Sequence, residues 1–174
     1  DLSRLCKSLH AHSPAQTLVV TGFYKEQIEQ EIQLINRQHQ VQMTCVNNPK
    51  PEAGQSSSVR LGLEALKDHY DALLIALCDQ PNISAQEIEG LLEEFELRTP
   101  DQEIVLPMVK GQRGNPVIFS KKIIDQILDI PDMVCRPFMD KRPELIRIFE
   151  SENQAYILDV DTQDDIQKLG LERI

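Results

Sequence analysis

A single aspartate follows the most apolar segment of the chain. Residues 72–78 are all apolar, and they lead directly into Asp79, Gln80 and Pro81. Such a run is typical of a strand buried in a parallel sheet, where ligands bind at the carboxyl end of the strand. A carboxylate there suits Mg²⁺, which takes one or two protein carboxylates and fills its octahedron with water and phosphate oxygens. The sequence therefore predicts Asp79 as a metal ligand, with a plain turn before the next helix as the alternative.

A second acidic pair lies near the end of the sequence. Asp159 and Asp161 flank Val160, and alternation along a strand would direct both carboxylates to the same side. They could complete a metal site with Asp79. Thr162 and Asp165 have the spacing of a capping box, so capping of a last helix is the alternative interpretation.

Two polar segments have residue types that bind phosphate or sugar groups. The first precedes a predicted helix and offers hydroxyls and free backbone N–H groups; it consists of Gly54, Gln55, Ser56, Ser57 and Ser58. The second is a loop that can present polar side chains to a substrate; it consists of Arg113, Gly114, Asn115 and Pro116. Simple N-capping for the first and a hairpin turn for the second are the alternatives.

The composition excludes several classes of protein. The chain has 174 residues with 18 Lys and Arg against 28 Asp and Glu, a net charge of −10, which opposes nonspecific binding to nucleic acid. No apolar run approaches the roughly 20 residues of a membrane-spanning helix. The four cysteines have no metal-binding spacing, which is typical of reduced thiols in a cytoplasmic protein.

Helices and strands are predicted to alternate along the chain. Helices are expected over 2–9, 25–36, 57–67, 84–97, 121–128 and 162–169, with further helical turns between 132 and 149. Strands are expected over 17–21, 41–46, 72–78, 103–109, 116–120 and 154–160. This alternation predicts one α/β domain with a mainly parallel sheet, spanning residues 1–174. The usual opening strand with its phosphate loop is absent from the pattern, and neither GxGxxG nor GxxxxGK[ST] occurs.

Four segments, taken together and in order, resemble one family. They read GQSSSVRLGL at 54–63, CDQP at 78–81, RGNPVIF at 113–119 and DVDT at 159–162. The family is the nucleotidyltransferases that include molybdenum cofactor cytidylyltransferase and its guanylyltransferase relatives. The similarity extends from about Leu2 to the end of the sequence.

The resemblance implies a three-layer, Rossmann-like α/β fold of the nucleotide-diphospho-sugar-transferase type. The implied reaction moves a nucleoside monophosphate from a nucleoside triphosphate, CTP favoured over GTP, to a phosphorylated acceptor such as molybdopterin, and releases pyrophosphate. It also implies that Asp79 and Arg113 are catalytic, that Asp79 and Asp161 hold Mg²⁺, and that residues 54–58 with Asp79 bind the nucleotide. The acceptor is then expected at Arg113, Gly114, Asn115 and Pro116.

The chain departs from the family pattern in two places. The family begins with a short strand and a loop of the form LAAGxSxRMGxxK, and this sequence starts after that point, so we expect a domain that lacks its first strand and triphosphate loop. A partner chain or dimer mate covering the gap is the other interpretation, which makes a homodimer a possible assembly. Related cytidylyl enzymes often have GHP where this chain has GNP at 114–116, which leaves the acceptor open.

Two other functions compete with nucleotidyl transfer. Residues 159–161 form a DxD motif, which also occurs in sugar-nucleotide glycosyltransferases. A catalytically silent nucleotide-binding or regulatory domain is the non-enzyme alternative, because the triphosphate loop is not in the sequence.

Overall fold

The computed structural model describes residues 2–67 and 69–160. The helices are α1 Leu2–His10, α2 Lys25–His39, α3 Gln55–Ala65, α4 Ala85–Glu96, α5 Lys121–Leu128 and α6 Cys135–Lys141. The strands are β1 Thr17–Thr21, β2 Met43–Asn47, β3 Ala72–Ile75, β4 Ile104–Val109, β5 Gln112–Arg113, β6 Val117–Ser120 and β7 Ile146–Glu150. Short 3-10 helices occupy Pro51–Ala53, Pro143–Leu145 and Gln154–Tyr156. None of the helices described is long and apolar enough to cross a membrane.

These strands form two separate sheets. β1 and β2 pair in parallel. In the five-stranded sheet, β6 lies between β3 and β4 and runs antiparallel to both, while β7 pairs in parallel with the other edge of β4. The α/β class is confirmed; in the five-stranded sheet β3, β4 and β7 run in one direction, and β5 and β6 run in the opposite direction. The reason is local: a tight hairpin turns the chain from β4 into β5 and then into β6.

Helices cover both faces of the five-stranded sheet. Along β4, Ile104 and Leu106 pack with helices α5 and α6 on one face, while Val105 and Val109 pack with α4 on the other. Alternate residues of a strand point to opposite faces, so a strand buried on both sides has apolar residues throughout. The expected three-layer arrangement is therefore present.

Two regions differ from the sequence prediction. Residues 146–149, which fall within the span predicted to contain helical turns, belong to β7, and β7 pairs with β4. Residues 154–160, predicted as a strand, contain a 3-10 helix instead. The Asn153 side chain accepts a hydrogen bond from the Ala155 N–H and thereby caps that helix. The predicted helix over 162–169 lies outside the described residues.

An apolar slot separates the two sheets. Among the described strands, β1 pairs only with β2 and β3 pairs only with β6, so each has one unpaired edge. Both strands line a cavity of about 840 Å³, together with side chains from α1, α3 and α4. We call this cavity the inter-sheet slot.

The two strands beside the slot run in the same direction. The Gln16 amide donates to the Lys67 carbonyl at 2.8 Å and accepts from the Lys67 N–H at 3.1 Å, which places the start of β1 beside the segment leading into β3. At the other end, Asn48 joins the end of β1 at Thr21 to Ser58 through hydrogen bonds, and Ser58 and Cys78 both line the slot. The carboxyl ends of β1 and β3 therefore meet at one side of the molecule.

Candidate functional site

Asp79 lies in the turn that follows β3, and one of its carboxylate oxygens is buried. Oδ1 has no hydrogen-bond partner among the described residues, while the Asp79 carbonyl accepts from the Val160 N–H at 2.9 Å. An unpaired buried carboxylate oxygen is costly unless a ligand satisfies it, and oxygen is the donor that Mg²⁺ prefers. Asp79 therefore fits a role as a divalent-metal ligand.

No larger metal-binding cluster accompanies Asp79 within the part of the chain that is described. Residues 2–67 and 69–160 contain no group of three or more His, Cys, Asp or Glu side chains arranged to hold a metal ion. The predicted second ligand, Asp161, lies outside these residues. The strand alternation used to predict it does not apply to residues 154–156, because they are helical. The hydrogen bond from the Val160 N–H to the Asp79 carbonyl brings Val160 beside Asp79.

The carbonyl of Tyr156 joins the Asp79 turn to the loop at 113–116. It accepts one hydrogen bond from the Gln80 side-chain Nε2 at 2.9 Å and a second from the Asn115 N–H at 2.8 Å. A carbonyl oxygen has two lone pairs, so this one is fully used. Segments near residues 80, 115 and 156 thus meet at one oxygen atom.

Gly114 is required where this junction is tightest. A Cβ atom at this position would lie 2.7 Å from the Tyr156 carbonyl oxygen and 2.9 Å from the Tyr156 Cβ. Both distances are shorter than van der Waals contact allows. The following Asn115–Pro116 peptide bond is cis.

Arg113 is held by an ion pair. Its Nη1 donates to Asp140 Oδ1 on α6 at 2.7 Å, and both side chains are substantially exposed. Arg113 itself lies in β5. The predicted hairpin turn is located two residues earlier, at Lys110 and Gly111, whose φ angles of 50° and 80° suit a two-residue hairpin turn.

The serine segment forms the first turn of α3. The helix begins at Gln55, two residues before the predicted start, and Gly54 precedes it with a φ of 88°. No side chain caps this helix end, so the predicted serine cap is absent. Backbone N–H groups of an uncapped first turn are suited to binding anions. We call residues 54–58 the serine turn.

The Asn48 side chain holds the serine turn in place through hydrogen bonds. Its Nδ2 donates to the Ser57 hydroxyl at 2.8 Å and to the Ser58 hydroxyl at 2.9 Å. Its Oδ1 accepts from the Lys50 N–H, and its own N–H donates to the Thr21 carbonyl. Asn48 is buried, and it thereby ties the serine turn to the end of β1.

The serine turn and the Asp79 turn lie at the same end of the inter-sheet slot. Gln55 and Ser58 from the serine turn line the slot, as does Cys78, the residue before Asp79. The loop at 113–116 is connected to Asp79 through Tyr156. The structure thus brings the predicted segments to one end of the sheet, while the Arg113 guanidinium is directed to Asp140.

Four residues that shape this site were not predicted from the sequence: Asn48, Tyr156, Asp140 and, for its side chain, Gln80. Asn48 follows a predicted strand in the run Asn-Asn-Pro-Lys-Pro, and such a run indicates only a break in regular structure. Tyr156 contributes a backbone carbonyl, and no residue type identifies such a role. Asp140 is 27 residues from its partner Arg113, and no local pattern links the two.

Comparison with protein families and known proteins gives a consistent result. Residues 2–144 match the MobA-like NTP transferase domain. The chain is 24% identical over 155 residues to molybdenum cofactor cytidylyltransferase of Escherichia coli (strain K12), covering 87% of this chain and 72% of that protein.

Solved structures share the fold at lower sequence identity. One is 4-diphosphocytidyl-2C-methyl-D-erythritol synthase from Anaerococcus prevotii DSM 20548, with a TM-score of 0.74, 16% identity, and coverage of 96% of this chain and 82% of that one. Another is Rv0371C in complex with manganese from Mycobacterium tuberculosis H37Rv, with a TM-score of 0.66, 16% identity, and coverage of 96% and 83%. At these identities the likeness establishes the fold.

Proposed function

The chain belongs to the MobA-like NTP transferase domain family and is a nucleotidyltransferase, and from that premise we propose that it transfers CMP from CTP to a phosphorylated acceptor. Pyrophosphate is the second product. The CTP assignment is favoured over GTP by the similarity to a molybdenum cofactor cytidylyltransferase. A phosphorylated pterin such as molybdopterin is the proposed acceptor.

One observation carries this proposal: polar segments far apart in the sequence converge at one end of the sheet. The Tyr156 carbonyl joins Gln80 to Asn115, and the Asp79 carbonyl accepts from Val160. Gln55 and Ser58 of the serine turn line the same slot as Cys78. A nucleotide bound between the serine turn and Asp79 would have its phosphates near the loop at residues 113–116, which we call the acceptor loop.

The chemistry requires alignment and charge neutralisation more than a general base. An ionised acceptor phosphate is already a nucleophile; its oxygen forms a bond to the α-phosphorus as the bond to the β-phosphate oxygen breaks. We propose that Asp79 holds Mg²⁺, with Asp161 as second ligand, and the ion would neutralise the nucleotide phosphates. The N–H groups and hydroxyls of the serine turn bind the nucleotide, at Gly54, Gln55, Ser56, Ser57 and Ser58.

The acceptor loop positions the second substrate. Arg113 supplies a positive charge for the acceptor phosphate, and its pairing with Asp140 holds the guanidinium on the α6 side of the loop. Asn115 can donate and accept hydrogen bonds through its side-chain amide but cannot titrate near neutrality. Gly114 and Pro116 shape the loop backbone.

We also propose that a β-strand occupies the inter-sheet slot in the complete domain. β1 and β3 run in the same direction, and among the described strands each has an unpaired edge and lines the slot. A strand parallel to both would satisfy these edges and bury the apolar lining. Its carboxyl end would emerge beside the serine turn and Asp79, where a triphosphate loop is needed.

The proposed location is the cytoplasm. All four cysteines are free thiols, and Cys6 and Cys135 are buried. Burial raises the pKa of Cys6 to about 11 and that of Cys135 to about 12, so both remain protonated and unreactive at neutral pH. Free thiols suit a reducing compartment.

Replacing the proposed metal ligand tests the function. Pyrophosphate release from CTP would be measured with Mg²⁺ and a phosphorylated pterin acceptor, for the natural protein and for Asp79→Asn. We expect Asp79→Asn to lose activity on the order of 100-fold or more, because electrostatic stabilisation of the transferred group is lost. Its thermal unfolding should remain close to that of the natural protein.

Asp101→Asn is the matched control, since Asp101 is exposed and lies in the turn before β4; it should retain full activity. Near-normal turnover by Asp79→Asn would contradict the metal assignment. Binding of Mg²⁺ and CTP by the natural protein without any pyrophosphate release would instead favour a catalytically silent domain.

A further inference from the structure

Gln80 has an unusual environment for an amide side chain. It is only 2% exposed, and its Oε1 has no hydrogen-bond partner among the described residues. Burying a polar atom without a partner costs free energy that an apolar side chain of similar size would avoid. The Gln80 Nε2, by contrast, donates to the Tyr156 carbonyl at 2.9 Å. The hydrogen bond to the Tyr156 carbonyl therefore explains why an amide side chain is buried at position 80.

The oxygen that Gln80 contacts is itself held from the other side. The Asn115 N–H donates to the same oxygen at 2.8 Å. The absence of a side chain at Gly114 permits the close approach, because a Cβ would lie 2.7 Å from this oxygen. The Asp79 turn and the acceptor loop therefore have one shared hydrogen-bond acceptor, which we call the Tyr156 junction.

The Tyr156 side chain is held in place by ring packing and by a hydrogen bond, so its carbonyl is a rigid anchor for the Asp79 turn and the acceptor loop. Its ring is buried and packs edge-on against Phe149 with the ring centroids 5.9 Å apart. Its hydroxyl donates to the Glu87 carbonyl on α4 at 3.0 Å. Burial, together with the nearby Glu87 charge, raises the pKa of Tyr156 to about 12, so the hydroxyl remains a donor over the physiological pH range.

We propose that Gln80 is a positioning residue that sets the distance between Asp79 and the acceptor loop through the Tyr156 junction. Asp79 is adjacent to Gln80 in the sequence, and Asn115 follows Gly114 in the acceptor loop, so movement at the junction changes the relative position of the two substrates. This inference rests on the proposed function. It assigns Gln80 no contact with substrate.

The Gln80→Met substitution tests the role, since methionine has a similar length and no donor. Small misplacements of reacting groups reduce the rate of the chemical step far more than ground-state binding. We expect kcat to fall about 10- to 100-fold, with KM for CTP changed by about twofold or less. Gly114→Ala should act in the same direction by displacing Tyr156 from the opposite side.

Gln16→Met is the matched control. The Gln16 amide also hydrogen-bonds to a backbone carbonyl, that of Lys67, but at the opposite end of the sheet. This variant should keep the kcat and KM of the natural protein. A purely structural contribution of glutamine amides would instead affect both variants alike.

Backbone hydrogen exchange over residues 112–118 gives a readout that does not depend on activity. Gln80→Met and Gly114→Ala should accelerate exchange there, and Gln16→Met should not. Unchanged exchange, or faster exchange with an unchanged kcat, would overturn the positioning role. Absence of turnover in the natural protein would contradict the proposed function, and the exchange measurement would still decide whether the junction exists.

Discussion

Three buried polar side chains lie at or after the carboxyl ends of β1, β2 and β3. Thr21, Asn48 and Gln80 are all at most 5% exposed, and Thr21 and Gln80 each have a side-chain oxygen without a hydrogen-bond partner among the described residues. Buried polar atoms are normally paired, so unpaired ones at one edge of the fold indicate ligand binding or a positioning role. Residue type and position along the chain were enough to nominate Asp79 and the serines as candidates. It could not predict Asn48 or Gln80, which act through contacts with distant backbone.

A carboxylate away from the site allows a test of pH dependence at the residue scale. Glu103 is buried and accepts from Lys122 Nζ at 2.8 Å. Burial favours its protonated form, but hydrogen bonds from Lys122 and Ser120 and the Lys122 charge outweigh that effect. They hold the pKa of Glu103 below its ordinary value of 4.5.

We expect ionised Glu103 to stabilise the protein at neutral pH and to lose this effect in acid. A lowered folded-state pKa means that the unfolded chain binds the proton first, so the contribution is present above pH 4.5 and disappears as the pH falls through the folded-state value. Glu103→Gln should therefore be less stable than the natural protein at pH 7, and the difference should shrink in acid. Urea unfolding at several pH values measures this.

Glu89→Gln, on an exposed position of α4, is the control and should change stability little at any pH. A Glu103→Gln deficit that stays constant from pH 7 to pH 3 would show that the charge of Glu103 has no role.

Sequence patterns located most elements but failed where tertiary contacts decide the backbone. The hydrophobic periods of α1, α2, α4 and α5 gave helices within a few residues of those observed. Strand β7 has the sequence Ile-Arg-Ile-Phe-Glu, which is compatible with a strand. The residues before it have a helical pattern, and the prediction of helical turns was extended through them to residue 149. For 154–156 the tyrosine carbonyl turns toward Gln80 and Asn115, a contact that residue spacing does not encode.

Helices α3 and α5 are connected through one arginine, and this connection can be tested. The Arg60 guanidinium on α3 donates to the carbonyls of Leu128, Ile127, Ile130 and Met133, at distances of 3.1 to 3.2 Å. These carbonyls lie at or just after the end of α5, where the helix leaves acceptors unsatisfied. We expect Arg60→Met to lower the free energy of unfolding by about 2–3 kcal/mol, measured by urea denaturation.

Arg142→Met serves as the control, because Arg142 forms an exposed pair with Glu144 and such pairs contribute little. Equal effects of the two substitutions would contradict a special role for Arg60 at the end of α5.

At the scale of the whole molecule, the resemblance led to the expectation of a further strand, and this expectation remains a proposal that the inter-sheet slot supports. The alternation of helices and strands predicted a single α/β domain without showing where the sheet divides. The division follows from the strand order, since β1 pairs with β2 and β3 pairs with β6 among the described strands. Strand order depends on contacts between distant residues, which the local pattern does not contain.

The proposal of an additional strand predicts a larger natural protein. We expect the intact mass of the protein from its source to exceed 19.9 kDa. The difference should be the mass of roughly 20–30 residues, about a strand plus a phosphate loop. Mass spectrometry of the purified natural protein measures this. A mass equal to 19.9 kDa would contradict the proposal.

The inter-sheet slot also bears on how cooperatively the protein unfolds. The β1–β2 pair and the five-stranded sheet share no backbone hydrogen-bonded ladder in the described chain. Side-chain contacts couple them, among them the packing of α1 and the hydrogen bonds between Gln16 and Lys67. Such contacts transmit an unfolding transition less completely than a continuous sheet, and segments of low local stability open first. A strand in the slot would merge the two sheets into a single cooperative unit, so filling it would sharpen the unfolding transition of the whole domain.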